Sequence, residues 1–261
     1  MKRFFWFFFL VFVAHSVFAV ELGAAENGML QESTNSGVAL EGPSVISKMA
    51  VLAGLAILPF AIMLLTSFVK MVIVLALLRN AIGVQQSPPN QVLNGIALLM
   101  TIYVMFPTGL AMYNAAKPVI DKSPSALFSE QSATYLMEII DRSKEPLRDF
   151  LVRNTYQKNM NSFFSMARRI FPEPYKSSLE PKDFIVLIPS FITSQLKSAF
   201  EIAVLVYLPF FVIDLVTSNI LLAMGMMMLS PLTIALPIKL LLLVMVDGWT
   251  LLIQGLTLTF K

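Results

Sequence analysis

The chain has 261 residues, of which 57% are apolar and only 13% are charged, and its mean hydropathy is +0.75. Soluble domains carry about 45–50% apolar and about 25% charged residues, so this chain has too few charges to cover a soluble core. The same composition excludes intrinsic disorder. It therefore predicts an integral membrane protein.

Two residue types that carry much enzyme chemistry are scarce. The chain has no cysteine, and its one histidine, His15, lies in a predicted leader. The mature chain would then lack disulfides, thiolate ligands, Ser-His triads, histidine-based zinc sites and haem ligands. No phosphate-binding Gly-Lys run occurs either. We therefore expect a protein that is not an enzyme and that binds no metal, nucleotide or other cofactor.

Residues 1–19 have the pattern of a cleaved signal peptide. Lys2 and Arg3 precede the apolar run Phe4–Ala14, and Val17-Phe18-Ala19 supplies the small residues of a cleavage site. Eleven residues are too few to span a bilayer, which needs about 20. Cleavage lowers the formal net charge from +3 to +1, so the charge gives no reason to expect a nucleic-acid partner. Residues 20–44 contain no Lys or Arg and predict a polar, flexible periplasmic tail.

Four apolar stretches follow, joined in pairs by two short turns. The stretches are Val45–Leu78, Val92–Met112, Phe184–Ala223 and Leu232–Phe260, and the turns are Arg79–Gln91 and Met224–Pro231. The sequence thus predicts an all-α membrane protein with kinked helical hairpins at 45–112 and 184–261. Residues 113–183 form an insert between them. Counting crossings from an external N-terminus places the insert in the periplasm and both short turns in the cytoplasm.

The insert is predicted to be helical. Of the 35 charged residues in the chain, 21 lie between Tyr113 and Ser198. Leu136, Ile140, Leu147 and Leu151 recur at steps of four and seven, which indicates an apolar helix face. Pro146 interrupts this pattern and is expected to begin a new helix.

Five charged residues lie within or beside the apolar stretches: Lys70, Glu201, Asp214, Lys239 and Asp247. An unpaired charge at mid-depth costs at least about 2.5–3.5 kcal/mol, so we expect these buried charges to be paired or in contact with water rather than to face lipid. Asp214 and Lys239 each lie about 12 residues from the centre of the second turn, and so come to the same depth in a hairpin. They predict an intramembrane ion pair that fixes the hairpin register, with a proton relay as the alternative.

Prolines and methionines make the apolar stretches unusual. Six prolines lie in or beside them: Pro59, Pro107, Pro189, Pro209, Pro231 and Pro237. Irregular backbone is tolerated at membrane depth only against protein or water, which predicts packing against other subunits or a lumen. The run Met226, Met227 and Met228 is either a deformable seal at a pore constriction or adaptable packing at a hairpin tip. The residues alone favour packing.

The first turn is a rigid, uncharged loop. It contains Gln85, Gln86, Pro88, Pro89 and Asn90. The two prolines favour an extended backbone, and Asn90 suits the start of the helix that follows.

Several ordered motifs together resemble the SctR/FliP family of type III secretion export-gate subunits. They are Thr66–Lys70, Leu77–Gly83 and Gln85–Asn90 in the first half, and Ala199–Ile202, Leu208–Phe210, Ile213–Val216, Met224–Met228 and Val246–Trp249 in the second. The resemblance covers nearly all of the chain after the polar tail. Its implied function is a channel subunit that passes unfolded polypeptides across the bacterial inner membrane.

The resemblance also implies partners and a role for the methionines. Several copies of the chain would assemble with S/Q-type, T/R-type, U/B-type and V/A-type export proteins, in contact with membrane lipid and projecting to the periplasmic side. Met226, Met227 and Met228 would form the gasket that seals the channel, which reverses the interpretation from the residues alone. Thr217–Met224 and Asp247–Thr250 favour the injectisome branch, whereas the leader and long tail are more usual in the flagellar branch. A secondary transporter, which would work without such partners, is the remaining alternative.

Overall fold

The computed structural model describes residues 53–54, 56–57, 59–84, 87–120, 132–226 and 228–260. Within these ranges every regular element is a helix and none is a strand, which confirms the predicted all-α membrane fold. The predicted signal peptide 1–19 and polar tail 20–44 lie outside the described residues.

From Pro59 onward the helices follow one another in chain order. They are α1 (Pro59–Leu65), α2 (Phe68–Ile82), α3 (Asn90–Ile120), α4 (Ser132–Arg153), α5 (Gln157–Ile170), α6 (Tyr175–Ser178), α7 (Phe184–Ala223), α8 (Pro231–Met245) and α9 (Gly248–Leu258).

Two helices, α3 and α7, are long and apolar enough to cross a membrane alone. The pairs α1–α2 and α8–α9 also qualify if each counts as one broken span, with bends of 74° and 62°. The structure thus offers two to four spans where the sequence predicts four apolar segments. Helix α3 continues to Ile120, beyond the predicted end of the first hairpin at Met112.

Helix α7 is longer than one crossing requires. Its 40 residues rise about 60 Å at 1.5 Å per residue, against about 30 Å for the hydrocarbon core. The N-terminal half of α7 packs against α4 and α5, which follow α3 in the chain. A single unbroken helix therefore carries both an apolar segment of membrane length and the attachment site of the charged helices.

The bend between α8 and α9 has a steric cause. Asp247 takes a left-handed conformation with φ of +51°, which is rare for a residue other than glycine. A Cβ atom on Gly248 would lie 2.7 Å from Leu243 Cδ1 and 3.2 Å from the Leu243 carbonyl oxygen, so any other residue would require the end of α8 to shift. These two residues end one helix and begin the next without an intervening loop.

Two buried apolar clusters hold the helices together. The first surrounds α2, which packs against α3, α7 and α8. The second joins α4, α5 and α7 through Phe150, Leu151, Met160, Leu187 and Phe191. Phe260 packs against both clusters and stacks on Phe150 with ring centroids 6.4 Å apart.

The expected break at Pro146 is absent. Pro146 lies inside α4, which runs unbroken from Ser132 to Arg153. Proline removes one backbone hydrogen bond there. The buried side chains of Phe150 and Leu151 lie in the following turn, and their packing in the second cluster offsets this loss.

We expect Phe191→Ala to loosen the attachment of α4 and α5 to α7. The Phe191 ring is fully buried and lies 6.0 Å from the Phe150 ring, so its removal costs about 3–5 kcal/mol. Limited trypsin digestion of membranes should then cleave faster after Arg168 and Arg169. Phe211→Ala, at an exposed position of the same helix, is the matched control. Equal digestion rates in the two variants would contradict this role.

Candidate functional site

The turn between α7 and α8 begins with a hydrogen-bonded glycine. Met226 N–H donates to Leu221 O and Gly225 N–H donates to Leu222 O, each at 3.0 Å, and Gly225 has φ of +73°. This pattern is a Schellman motif, in which a left-handed glycine ends the helix. Pro231 then begins α8 at the position where a missing N–H costs least.

The methionine side chains of this turn are exposed in the single chain. Met224 and Met226 are exposed, and Met228 is fully so. The side chain of Met227 lies outside the described residues. Exposed flexible apolar side chains gathered at one turn form a deformable surface that suits contact with other chains.

Asp214 and Lys239 lie together in the helices that this turn joins. Lys239 Nζ is 2.7 Å from Asp214 Oδ2 and 3.0 Å from the carbonyl oxygen of Ala81, to which it also donates. The lysine is only 2% exposed, whereas the side chain of Asp214 is 33% exposed. One ammonium group therefore joins α8 to both α7 and α2.

The contact of Lys239 with Ala81 is not foreseeable from residue types. A backbone carbonyl has no residue-type signal, and the last carbonyls of a helix attract cations because they have no partner within the helix. Gly83, with φ of +89°, ends α2 shortly after Ala81. A Cβ atom on Gly83 would lie 3.2 Å from Leu232 Cδ1, so glycine also allows α8 to approach closely.

Lys70 is a second buried cation. It is 3% exposed, its Nζ lies 4.0 Å from the centre of the Phe260 ring, and it is 3.4 Å from Thr259 Oγ1. A cation over an aromatic face is attracted to the ring's negative charge density. Lys70 thus ties α2 to the segment that follows α9.

Glu201 and Asp247, two further charges of the apolar stretches, are exposed in the single chain, so their burial stays a prediction for the assembled protein. Glu201 lies on an exposed face of α7, with its carboxylate 3.3 Å from Tyr156 Oη and 3.7 Å from Lys197 Nζ. Asp247 lies at the bend between α8 and α9 and accepts a hydrogen bond of 3.0 Å from Thr250 Oγ1. Apolar neighbours in sequence do not bury a charge when helix rotation or a bend turns it outward.

The first turn is held by Arg79. Its guanidinium donates to Asn90 Oδ1 at 2.6 Å and to the Pro88 carbonyl at 3.3 Å. Asn90 is the first residue of α3, and Pro89 directly precedes it. Gln85 and Gln86 lie outside the described residues.

A polar contact between α7 and the α4–α5 junction is a second feature that the sequence patterns missed. Ser194 Oγ accepts hydrogen bonds from Tyr156 N–H at 3.1 Å and Asn159 Nδ2 at 2.9 Å, and Gln195 Nε2 donates to Asn154 O at 2.7 Å. Ser190 and Ser194, four residues apart in an apolar run, were the available signal. Among the described residues, no three His, Cys, Asp or Glu side chains lie close enough to hold a metal ion.

We expect the Asp214–Lys239 contact to depend more on the acid than on the base. Asp214→Leu leaves a buried ammonium without its carboxylate, at a cost of about 3–5 kcal/mol, whereas Lys239→Met leaves a carboxylate that its own chain buries only in part. The double variant Asp214→Leu/Lys239→Met should recover much of the membrane-integrated protein lost in Asp214→Leu alone. Quantitative blotting of membranes measures this, with Glu180→Gln as the exposed control.

A charge swap at the same pair should restore less than the apolar double variant. The swapped carboxylate would face the Ala81 carbonyl, and two acceptors repel. Full recovery by Asp214→Lys/Lys239→Asp would show that the Ala81 contact contributes nothing.

Comparisons with known proteins identify the family to which the chain belongs. The model of the FliP family matches residues 51–256. The hypersensitivity response secretion protein HrcR of Ralstonia nicotianae is 42% identical over 207 residues, covering 79% of this chain and 93% of that protein. The Yop proteins translocation protein R of Yersinia pestis is 43% identical over 218 residues, covering 84% and 97%. The flagellar biosynthetic protein FliP of Pectobacterium carotovorum subsp. carotovorum is 41% identical over 216 residues, covering 82% and 78%. The family match covers more than half of the chain, and with these relatives it shows that the chain belongs to the FliP family.

Proposed function

We propose that the chain is a core, channel-forming subunit of a type III protein export gate in the bacterial inner membrane. Unfolded polypeptides would pass through a channel built by several copies together with S/Q-type, T/R-type, U/B-type and V/A-type proteins. The observation that supports this proposal most directly is the exposed methionine turn. It joins two ion-paired helices, and the described part of the chain does not cover it. The secretion functions named for its relatives support the proposal.

The proposed gasket consists of Met226, Met227 and Met228. Methionine is unbranched and polarizable, so the same side chains can close against one another or around a passing polypeptide. The Schellman motif directs the chain away from the axis of α7 just before these residues. Several copies of such a turn, arranged around an axis, would place a ring of thioethers in the channel.

The ion pair would hold that ring at a fixed depth. Lys239 joins α8 to α7 and α2, so the α7–α8 turn cannot slide relative to α2 without breaking a buried contact. We assign Asp214 and Lys239 a structural role on this ground. A seal that admits a polypeptide yet excludes ions needs a deformable surface on a rigid base, and this arrangement would supply both.

The proposed topology places α4–α6 in the periplasm. Their charged residues and intrahelical ion pairs, such as Arg148 with Glu145 at 2.7 Å, suit an aqueous side of the membrane. Because α7 is about twice as long as a crossing, its N-terminal half would carry these helices beyond the bilayer. The complex would then project to the periplasmic side.

We favour the injectisome branch, with the flagellar branch as the second candidate. Sequence identity hardly separates the two, at 43% and 41%. Coverage separates them better, since the alignment spans 97% of the Yersinia protein but 78% of the flagellar one.

Replacing the proposed gasket should make the membrane leaky. We expect Met226→Ala/Met227→Ala/Met228→Ala, in assembled complexes, to admit small ions and solutes several-fold faster than the unaltered protein, because the smaller side chains cannot close the lumen. Conductance of reconstituted complexes measures this. Met166→Ala/Met245→Ala removes two exposed methionines elsewhere and should leave the seal intact. A triple variant that assembles and seals fully would refute the gasket.

Complementation separates the two branches. We expect the chain, expressed with its S-type and T-type partners, to restore effector secretion in a strain that lacks its injectisome R subunit. It should not restore motility in a strain that lacks the flagellar subunit. Restored motility without restored secretion would favour the flagellar alternative.

A further inference from the structure

Helix α3 presents an exposed seam with a strict heptad pattern. Its residues alternate by four and three positions: Leu99, Tyr103, Phe106, Leu110, Tyr113, Lys117 and Ile120. The apolar members and Lys117 are exposed in the single chain. We call this row the α3 seam.

Helix α7 presents a second seam with the same alternation. Its members are Glu201, Leu205, Leu208, Val212, Leu215, Asn219 and Leu222. All of them are exposed, so neither seam covers the other within one chain. We call this row the α7 seam.

A repeat of 3.5 residues is the pattern that packs one helix along another. Rows spaced alternately by three and four stay on one side of a slightly supercoiled helix and insert between the residues of a facing row. Lipid imposes no such repeat, and a polar residue such as Asn219 gains no partner in it. The seams therefore favour a helix as occupant.

The two seams match each other when the helices run in opposite directions. We align the seams by placing Lys117 opposite Glu201. Tyr113 then lies opposite Leu205, and Leu110 lies opposite Leu208. Every later position of one seam also falls opposite a position of the other. Further along, Tyr103 lies opposite Leu215. The cation of one seam thus meets the anion of the other, and each apolar position from Tyr113 to Tyr103 meets an apolar position.

Prolines inside the two helices also come close to each other in this register. Pro107 in α3 and Pro209 in α7 come within two residues of being opposite each other. Proline tends to bend helices, so the two helices would bend at the same level. A mismatch in bending would separate the seams, and this register avoids it.

The antiparallel direction of the two seams is the one that membrane insertion gives to α3 and α7. The helices α3 and α7 are the two unbroken candidate spans among the described residues, and the charged helices α4–α6 lie between them in sequence. Consecutive spans cross a membrane in opposite directions. Identical copies side by side in one membrane therefore offer α3 and α7 to each other antiparallel.

We propose that the α3 seam of one copy packs along the α7 seam of a second copy, antiparallel, with Lys117 opposite Glu201. The inference rests on the proposed assembly of several copies, and it specifies the contact between them. Because the two surfaces differ, the contact is head-to-tail, and repeated contacts close into a ring or continue as a helix of subunits. Each copy then covers the exposed apolar face of its neighbour.

Cysteine cross-linking tests the register, and the two tags identify the adduct; the chain itself contributes no other cysteine. A copy with Tyr103→Cys and a differently tagged copy with Leu215→Cys are co-expressed with their partner subunits, and the membranes are mildly oxidised. Opposed positions should give an adduct of both tags, because their Cα atoms come within about 4.4–6.8 Å, the range of a disulfide. Leu110→Cys with Leu208→Cys is the second pair and tests the same register if Tyr103 is needed for folding.

The control pair changes the direction of the cysteine side chain on α7 but keeps its exposure. Val216 is 50% exposed and Leu215 is 48% exposed, yet they point about 100° apart on the helix. Tyr103→Cys with Val216→Cys should therefore give several-fold less adduct. A single chain that carries both Tyr103→Cys and Leu215→Cys should give a ladder of dimers and larger adducts.

Three outcomes would overturn the proposal. Equal adducts with Leu215→Cys and Val216→Cys would mean that no register exists. If neither test pair gives an adduct while the variants still support export, the α7 seam faces lipid. That result would contradict this contact but not the proposed function. A cross-link from Tyr103→Cys only to another export subunit would show that a different helix covers the α3 seam.

Discussion

One buried ammonium group determines how three of the membrane helices meet. Lys239 is shared between the carboxylate of Asp214 and the carbonyl of Ala81, and it is too deeply buried for solvent to replace either contact. Because a buried cation without acceptors is strongly unfavourable, α2, α7 and α8 have one mutual register. That register also fixes the depth of the exposed methionine turn, because the turn joins α7 to α8. The apolar packing around α2 adds cohesion but does not by itself choose between neighbouring registers.

The apolar surface outside this core differs from the lipid-facing surface of a simple membrane anchor. Helices α3 and α7 remain widely exposed although α2 packs against both. A chain built to face lipid alone would have no use for the cations, anions and prolines on these faces. Their arrangement is that of a component whose fold is completed by neighbours. The methionine turn is the extreme case, since no described residue of its own chain covers Met228.

Sequence patterns predicted the helices and one contact, but they did not predict backbone acceptors or helix rotation. The limits of α7 agree with the apolar stretch Phe184–Ala223, because length and composition alone decide such a helix. The equal-depth argument placed Asp214 beside Lys239, whose atoms are 2.7 Å apart. The carbonyl of Ala81 has no signal in residue type, so it could not be foreseen. The exposure of Glu201 depends on how α7 is rotated against α2, which composition does not encode.

The contact between Lys239 and Ala81 also constrains the order in which the protein can be built. The two residues are 158 positions apart, so the first hairpin enters the membrane before Lys239 has been synthesised. At that stage the Ala81 carbonyl at the end of α2 lacks its cation. Asp214 is synthesised before Lys239, and its charge likewise has no partner until the last hairpin arrives. Closing so long a loop is slow compared with forming a helix. A single late step of biogenesis thus neutralises Asp214 and satisfies the end of α2 at once, and a chain cut short before Lys239 would expose both defects to membrane proteases.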